Sequence, residues 1–145
     1  MKLKIKLLNE KAKMPLRATE GSAGYDLFAA IDEPVTILPQ QTVKIGTGVC
    51  LELPDAGMAA FVFARSGLGI KHNIVPANCV GVIDSDYRGE VIVGLINLSS
   101  KPYEILPGDR IAQLVLLPVL HPETELCTEL DETERGAGGF GSTNR

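Results

Sequence analysis

A polar cluster at residues 84–88, DSDYR, follows directly on an apolar run. This order places Asp84 at the mouth of a pocket, where a carboxylate can orient and deprotonate a water. Tyr87 offers a flat ring with a polar tip, which suits a lid over the core and a platform for a ligand equally. Because aspartate is also common in turns, the cluster by itself predicts either a general base or an ordinary acidic turn.

A second group of this kind lies at 64–69, ARSGLG, between a predicted strand and a predicted short helix. The unpaired N–H groups at a helix start attract anions. Arg65 adds a fork of donors that matches phosphate oxygens. Ser66 adds a hydroxyl, and Gly67 lets a backbone approach closely. The segment is typical of a phosphate site, but also of a plain turn in which Ser66 is the N-cap.

Four more polar residues lie next to or within apolar segments. Gln113 lies inside an apolar run and must find hydrogen-bond partners, either in the protein or on a ligand. Asp109 and Arg110 follow a Pro-Gly turn signal, and the expectation is a structural role as an ion pair. Asp26 is a lone acid among apolar neighbours, which suits a polar network beside a metal or a simple turn.

The last fifteen residues, 131–145, hold too little apolar surface to build a core. Four glycines lie between 136 and 141, together with Arg135, the ring of Phe140 and the hydroxyls of Ser142 and Thr143. Such residues can wrap a phosphate and stack on a base, although a frayed terminus has the same composition. The sequence thus predicts one β domain at 1–130 and a flexible tail at 131–145.

Short strands must position all of these side chains. No segment shows sustained helical periodicity, and one helical turn is predicted at Ser66–Lys71. Cys79–Ile83 and Glu90–Leu98 are predicted to pair as a hairpin around Asp84–Gly89. Strands at this spacing predict an all-β sandwich, jelly roll or small barrel. The predicted strands are Leu3–Leu8, Ala23–Ala30, Val35–Leu38, Thr42–Leu53, Gly57–Ala64, Cys79–Ile83, Glu90–Leu98, Tyr103–Ile105, Arg110–Val119 and Glu125–Leu130.

Composition narrows the class of protein. A chain of 145 residues with 45% hydrophobic residues is expected to form one domain. A net charge of -4 argues against binding nucleic acid through overall charge, and no apolar run is long enough to span a bilayer. The cysteines, Cys50, Cys79 and Cys127, are too far apart for a zinc motif. Their odd number, with no leader sequence, favours the reducing cytoplasm.

Five blocks stand in order along the chain: AGYDLFA at 23–29, ARSGLG at 64–69, GVIDSDYRG at 81–89, GDRIAQ at 108–113 and RGAGGFGST at 135–143. In order, spacing and total length they are similar to the trimeric dUTPase family. The chain departs from the family pattern at Ala64, where proline is usual. Little harm is expected, because proline there mostly stiffens the approach to Arg65. His72 and His121 fall outside the blocks that carry roles and receive none.

The resemblance implies an all-β, jelly-roll-like or distorted-barrel fold with one short helix, assembled as a homotrimer. Active sites would lie at subunit interfaces, and the flexible tail of one subunit, residues 131–145, would be a lid that closes a site formed by two others. The implied reaction is hydrolysis of dUTP to dUMP and pyrophosphate, which keeps uracil out of DNA and supplies dUMP for dTMP synthesis. Mg²⁺ would be held mainly by the phosphates and water. No nucleic acid or membrane is implied as a partner.

Roles follow from the resemblance. Asp84 would hold the nucleophilic water, and Tyr87 would pack under the deoxyribose and leave no space for a 2′-hydroxyl. The uracil would be read and covered by Asn78, Cys79, Val80, Gly81, Val82, Ile83 and Phe140. The phosphates would be held by Arg65, Ser66, Gly67, Gln113, Arg135, Gly139, Ser142 and Thr143. The supporting network would be Asp26, Asp109 and Arg110.

Two rival functions remain. dCTP deaminases share this fold, but they carry a catalytic glutamate ten residues past the aspartate, where this chain has Gly94. Glycine cannot move a proton, so deamination is disfavoured. A trimer that senses nucleotides without catalysis is the other possibility, because a fold alone does not fix a function. The Asp84 carboxylate and the complete tail, which binding alone does not need, argue against it.

Overall fold

The computed structural model describes residues 1–139, and within them strands dominate. Because apolar and polar residues alternate, most strands have one buried and one solvent-exposed face. The elements are β1 (Lys4–Leu7), β2 (Tyr25–Phe28), β3 (Val35–Ile37), β4 (Thr42–Glu52), β5 (Met58–Phe63), α1 (Ser66–His72), β6 (Ile74–Pro76), β7 (Gly81–Ile83), β8 (Glu90–Asn97), β9 (Tyr103–Ile105) and β10 (Arg110–Pro118).

The strands form three antiparallel sheets. The first sheet has the order β1-β4-β8-β6, the second has β2-β10-β5-β7, and β3 pairs with β9 in a small third sheet. No sheet within residues 1–139 closes on itself into a barrel. The prediction of an all-β, jelly-roll-like fold with one short helix is confirmed.

One hydrophobic core joins the two four-stranded sheets. In β8, Val91, Val93 and Leu95 are buried, whereas Ile92 between them is 54% exposed. Leu27 of β2 and Leu114 of β10 contribute to the same buried cluster from the second sheet. Burial of each such side chain is worth about 1.5–3 kcal/mol. A shift of one residue in strand register would turn these side chains outward, so burial fixes the register of the strands that carry the site.

The predicted hairpin around Asp84–Gly89 is wrong. β7 pairs with β5 in the second sheet, whereas β8 pairs with β4 and β6 in the first. The connecting loop therefore crosses from one sheet to the other. Two β-prone runs that flank a turn resemble a hairpin in sequence, but apolar alternation does not say which strand each run pairs with.

Two further differences concern strands. The predicted strand Glu125–Leu130 does not form: the segment is exposed, with Leu126 100% and Leu130 85% exposed. A strand needs a partner, and no other described segment pairs with it. The strand β6 was not predicted, because three residues ending in a proline carry almost no periodicity.

The short helix α1 agrees with its predicted position to one residue. Its N-cap is Arg65, whose backbone is extended and whose side chain makes no capping hydrogen bond. Ser66 is therefore the first helical residue, and its interpretation as the N-cap is wrong. Asn73 ends the helix with a left-handed φ of 56°, a conformation that asparagine tolerates well.

Candidate active site

A cleft of about 270 Å³ opens where β7 and β8 separate into their different sheets. We call it the Asp84 cleft. Asp84 follows directly on β7, so the edge of the second sheet sets its position. The lining residues are Val62, Pro76, Asn78, Gly81, Val82, Ile83, Asp84, Tyr87, Glu90, Val91, Ile92, Val93 and Gly94. Two acids, Asp84 and Glu90, stand among mainly apolar lining residues, and Asp84 is the exposed one.

Hydrogen bonds within the loop hold Asp84 and Tyr87 in place. The Tyr87 N–H donates to the Asp84 carbonyl over 3.2 Å, which closes a tight turn. The Tyr87 hydroxyl donates to the Glu90 carbonyl over 3.2 Å. Arg88 Nη1 donates to the carbonyls of Ser85 and Tyr87 over 2.8 and 3.1 Å. The loop is exposed, but several hydrogen bonds within it restrain its conformation. Tyr87 lines the cleft.

The strand β7 forms one edge of the second sheet, because only β5 pairs with it among the described strands. An edge strand leaves a row of N–H and C=O groups without ladder partners. Just before β7, Cys79 has a left-handed φ of 63° and the Val80 N–H donates to the Asn78 carbonyl over 2.7 Å. This tight bend places Asn78 beside the free edge, where backbone groups can read the edge of a flat polar ligand.

A second cleft, also of about 270 Å³, lies at the other side of the second sheet, around β2, β10 and the start of α1. We call it the Arg65 cleft. Its lining residues are Ala18, Ser22, Ala23, Gly24, Asp26, Arg65, Ser66, Arg110 and Gln113. With two guanidinium groups and one carboxylate, its ionisable lining has a surplus of positive charge. Such a lining favours an anion with several oxygens.

Asp26 joins the two arginines of this cleft. Its side chain is only 12% exposed and accepts from Arg65 Nε over 2.7 Å and from Arg110 Nη1 over 3.1 Å. The expected pairing of Asp109 with Arg110 is therefore wrong. Asp109 instead accepts the Leu106 N–H over 2.8 Å and stabilises its own turn. The network around Asp26 leaves other N–H groups of both guanidinium groups available to a ligand.

Gln113 reaches the Arg65 cleft from the middle of the second sheet. β10 lies between β2 and β5, so Gln113 is opposite Asp26 on one side and Phe63 on the other. Its Nε2 donates to the Ala64 carbonyl over 2.8 Å. The structural role left open by the sequence is thus present, since Gln113 anchors the chain immediately before Arg65. It also lines the cleft, so the ligand role stays a prediction.

The structure distributes the predicted site residues over separate places in one chain. The Asp84 cleft and the Arg65 cleft have no lining residue in common. Gly67 and Asp109 line a neighbouring depression together with Lys71 and His72. In the tail, Arg135 Nε donates to the Gly138 carbonyl over 2.9 Å and Gly139 is exposed. Phe140, Ser142 and Thr143 lie outside the described residues.

Sequence reasoning missed several lining residues. The wall of the Asp84 cleft includes Glu90, and the Arg65 cleft includes Ala18 and Ser22. Glu90 was detectable as the only acid at the start of an apolar strand, but nothing in the sequence placed it against this cleft. Ser22 directly precedes the 23–29 block, and this position in the sequence was the one feature that could have predicted it as a lining residue.

Residues 1–139 contain neither a membrane-spanning helix nor a cluster of metal-ligand side chains. No helix there is long and apolar enough to cross a membrane. No three or more side chains of His, Cys, Asp and Glu come together there as a metal-binding group. The carboxylate of the Arg65 cleft, Asp26, is already engaged by two guanidinium groups.

Comparison with known proteins gives one family. Residues 10–144 match the family model described as dUTPase. A deoxyuridine 5′-triphosphate nucleotidohydrolase of Desulfitobacterium hafniense (strain DSM 10664 / DCB-2) is 59% identical over 131 residues, which cover 90% of this chain and 87% of the relative.

Solved structures agree with the sequence matches. The dUTPase of Staphylococcus bacteriophage 80alpha with dUPNHPP has a TM-score of 0.90 and 31% identity, covering 99% of both chains. A mutant dUTPase from phage phi11 of S. aureus, described with a structural Mg(II) ion, has a TM-score of 0.82 and 29% identity. It covers 91% of this chain and 100% of its own.

Proposed function

Because this chain belongs to the dUTPase family, we propose that the Asp84 cleft of one copy and the Arg65 cleft of another together form the site at which it hydrolyses dUTP. The products are dUMP and pyrophosphate. The observation that supports the shared site is the separation of the two clefts. One has a general base and a free backbone edge, the other has the cationic groups, and no residue lines both.

We propose a homotrimer as the assembly. A nucleoside triphosphate needs its base, sugar and phosphates held in one continuous site, and juxtaposed clefts of neighbouring copies supply that continuity. The tail of a third copy, residues 131–145, would close the site as a lid and exclude water. A location in the cytoplasm is also proposed, supported by the free thiols of Cys50, Cys79 and Cys127.

The base would be read by the free edge of β7, from Gly81 to Ile83, with Asn78 beside it. Cytosine reverses the donor and acceptor pattern of uracil and would leave buried polar groups unpaired, which is a large penalty. The Cys79 and Val80 backbone shapes the bend that brings Asn78 to this edge. Phe140 of the tail would stack on the exposed face of the base, a contact typically worth ~1–3 kcal/mol.

The triphosphate would bind in the Arg65 cleft. Arg65 and Ser66 line it, Gln113 fixes the backbone that precedes Arg65, and Gly67 lies at the start of α1 without crowding its surroundings. The Asp26 carboxylate orients the guanidinium groups of Arg65 and Arg110. The tail would add further donors around the phosphates from Arg135, Gly139, Ser142 and Thr143.

In the proposed reaction, Asp84 accepts a proton from a water molecule as the water oxygen attacks the α-phosphorus. The bond between the α-phosphorus and the bridging oxygen to the β-phosphorus breaks, and pyrophosphate leaves with the electron pair. Arg65 and Arg135 stabilise the charge on the leaving group. Mg²⁺ bound with the triphosphate would neutralise phosphate charge and hold the chain of phosphates in line. We assign it no protein ligand.

The structure also bears on the deaminase alternative. Gly94 lines the Asp84 cleft, and the nearest atom to a methyl group added there is Ala77 Cβ at 4.0 Å. Residue 94, where a deaminase needs its glutamate, therefore has no side chain in this protein. The carboxylate of Glu90, the other acid of the wall, accepts the Gly48 N–H over 2.7 Å. The second acid of this cleft is thus held by the backbone of β4.

The proposal is tested by measuring pyrophosphate release from a panel of nucleoside triphosphates with Mg²⁺, followed by native mass measurement. Release from dUTP alone and a mass of three chains are expected. Ammonia release from dCTP would favour a deaminase. Binding of dUTP without pyrophosphate release would favour a nucleotide-sensing trimer. A monomer that hydrolyses dUTP at full rate would contradict the shared site.

Replacing Tyr87 with Ala is expected to weaken discrimination between dUTP and UTP. The ring fills the space beside the sugar, so its removal should make room for a 2′-hydroxyl. The ratio of kcat/KM for dUTP to that for UTP should fall about 10–200-fold, the range typical of a steric pocket. Steady-state kinetics on both nucleotides measure this ratio. A variant that stays strict for deoxyribose would show that another group excludes the hydroxyl.

Replacing Asp26 with Asn is expected to lower stability and weaken dUTP binding together. The two guanidinium groups would lose their shared counter-ion, which we expect to cost about 1–3 kcal/mol because Arg110 is half exposed. Urea melts and the KM for dUTP report the two effects. The matched control is Asp32→Asn, which removes the exposed ion pair with Lys11 and should cost less than about 1 kcal/mol. Equal losses in both variants would argue against the Asp26 network.

A further inference from the structure

We propose that Gly89 is a specificity-determining position: it provides the space in which the Tyr87 ring is held against the sugar side of the Asp84 cleft. This inference rests on the proposed function of that cleft. It assigns the selection of deoxyribose to a pair of residues, one that supplies the ring and one that lacks a side chain.

The first observation is the space over Gly89. A methyl group added to its Cα would overlap the Tyr87 hydroxyl oxygen and lie 2.5 Å from Cζ and 3.0 Å from Cε2 of the same ring. A Cβ atom essentially never lies closer than 3.0 Å to an atom of another side chain, so the methyl group and the ring cannot both occupy this space. The Tyr87 ring therefore lies flat over the position that any other residue at 89 would fill with its Cβ.

Backbone conformation does not explain this glycine. The described glycines with a left-handed φ are Gly48, Gly108 and Gly136. Gly89 is not among them, so an alanine can adopt its backbone without strain. What Gly89 supplies is space: among the described residues other than its two chain neighbours, the three atoms nearest to the added methyl group all belong to Tyr87.

The second observation is the anchor at the far end of the ring. The Tyr87 hydroxyl donates to the carbonyl of Glu90, and Glu90 is itself fixed through its side chain. Glu90 Oε1 accepts the Gly48 N–H over 2.7 Å, where the pairing of β4 with β8 shifts register between Gly46 and Cys50. Gly46 also leaves room for this carboxylate, since a methyl group there would lie 2.7 Å from Oε1.

These contacts define the position of the ring from two sides. Gly89 allows the Tyr87 ring to lie close to the backbone of the loop. The Glu90 carbonyl, at the start of β8, fixes the hydroxyl end of the ring. Because β8 belongs to the first sheet and Asp84 follows a strand of the second, the ring is fixed relative to both walls of the cleft. A side chain at position 89 must displace the Tyr87 ring. This displacement changes the surface against which the deoxyribose is proposed to pack.

The test is the selectivity of Gly89→Ala, measured as the ratio of kcat/KM for dUTP to that for UTP. We expect the ratio to fall at least about tenfold, within the range for a steric pocket. The matched control is Gly21→Ala, because Gly21 has no atom within 4 Å of an added methyl group and no left-handed φ. Its ratio should equal that of the unchanged chain. A Gly89→Ala variant with unchanged selectivity overturns the inference.

A double-variant comparison shows whether Gly89 acts through the ring. Adding Gly89→Ala to Tyr87→Ala should change selectivity no further, because no ring remains to be displaced. An equal fall in both backgrounds overturns the inference. If Gly89→Ala alone does not fold, recovery of folding in the double variant supports the clash with the ring, and a double variant that is equally unfolded contradicts it.

Binding measurements separate this inference from the proposed reaction. Calorimetry with dUMP and UMP needs no turnover. The unchanged chain should prefer dUMP, and Gly89→Ala should reduce that preference. A chain that selects dUMP through Gly89 but releases no pyrophosphate would contradict the proposed reaction and keep this inference. A chain that hydrolyses dUTP with a selectivity that does not depend on residue 89 would support the proposed reaction and contradict this inference.

Discussion

Replacing Asp84 with Asn should lower kcat for dUTP by about 10²–10⁴-fold, the contribution typical of a general base, and leave the affinity for dUTP within a few-fold of its original value. The asparagine amide keeps the size of the side chain and can still orient a water. It cannot accept the proton that the water must lose as it attacks the α-phosphorus. In the proposed site, substrate binding depends on the β7 edge and the Arg65 cleft, neither of which the substitution changes.

Rapid-quench measurement of pyrophosphate release gives the rate, and calorimetry with a non-hydrolysable dUTP analogue gives the affinity. The matched control is Asp86→Asn. Asp86 is exposed in the same loop and does not line the Asp84 cleft, so its removal should leave the rate unchanged. If Asp84→Asn turns over at the normal rate, Asp84 is not the base; if both variants lose activity equally, the loop has been disturbed as a whole.

Deleting residues 131–145 should remove most activity and leave the fold intact. The described part of this segment is mainly exposed, and its Arg135 bonds within the tail, so the core does not depend on it. The loss would combine the Arg135 charge with Phe140 stacking, typically ~1–3 kcal/mol for the stacking alone. We therefore expect kcat/KM for dUTP to fall on the order of 100-fold or more, since the lid also excludes water.

Thermal melting and native mass measurement report fold and assembly, and steady-state kinetics report the activity. A chain shortened only by Asn144 and Arg145, which extend past the 135–143 block, is the control and should keep its activity. If the chain truncated at 131 unfolds or its assembly dissociates, the segment is required for the structure. A truncation with full activity would remove the lid from the proposed site.

The local features of this fold were predictable from the sequence. The predicted bounds of β4, β5, β8 and β10 agree with the structure to within one residue, because β-prone apolar stretches between turn signals are visible in the sequence. The helical turn predicted at Ser66–Lys71 is present as the helix Ser66–His72. By contrast, the pairing of β7 with β5 was not predictable, since a run of apolar residues is compatible with any neighbouring strand. The predicted strand Glu125–Leu130 does not form, because a strand requires a partner and no described segment pairs with it.

The sequence alone singled out Asp84, Tyr87 and Arg65 as candidates for the chemistry, because polar residues directly after apolar runs are recognisable without a structure and lie in blocks that resemble a known family. Only the tertiary structure decided how they are grouped. Asp26 meets Arg65 and Arg110 from 39 and 84 positions away, and Asp84 and Arg65 are brought to different clefts although both follow strands of one sheet. Long-range strand pairing fixes such distances, and a linear pattern of residue types does not encode it.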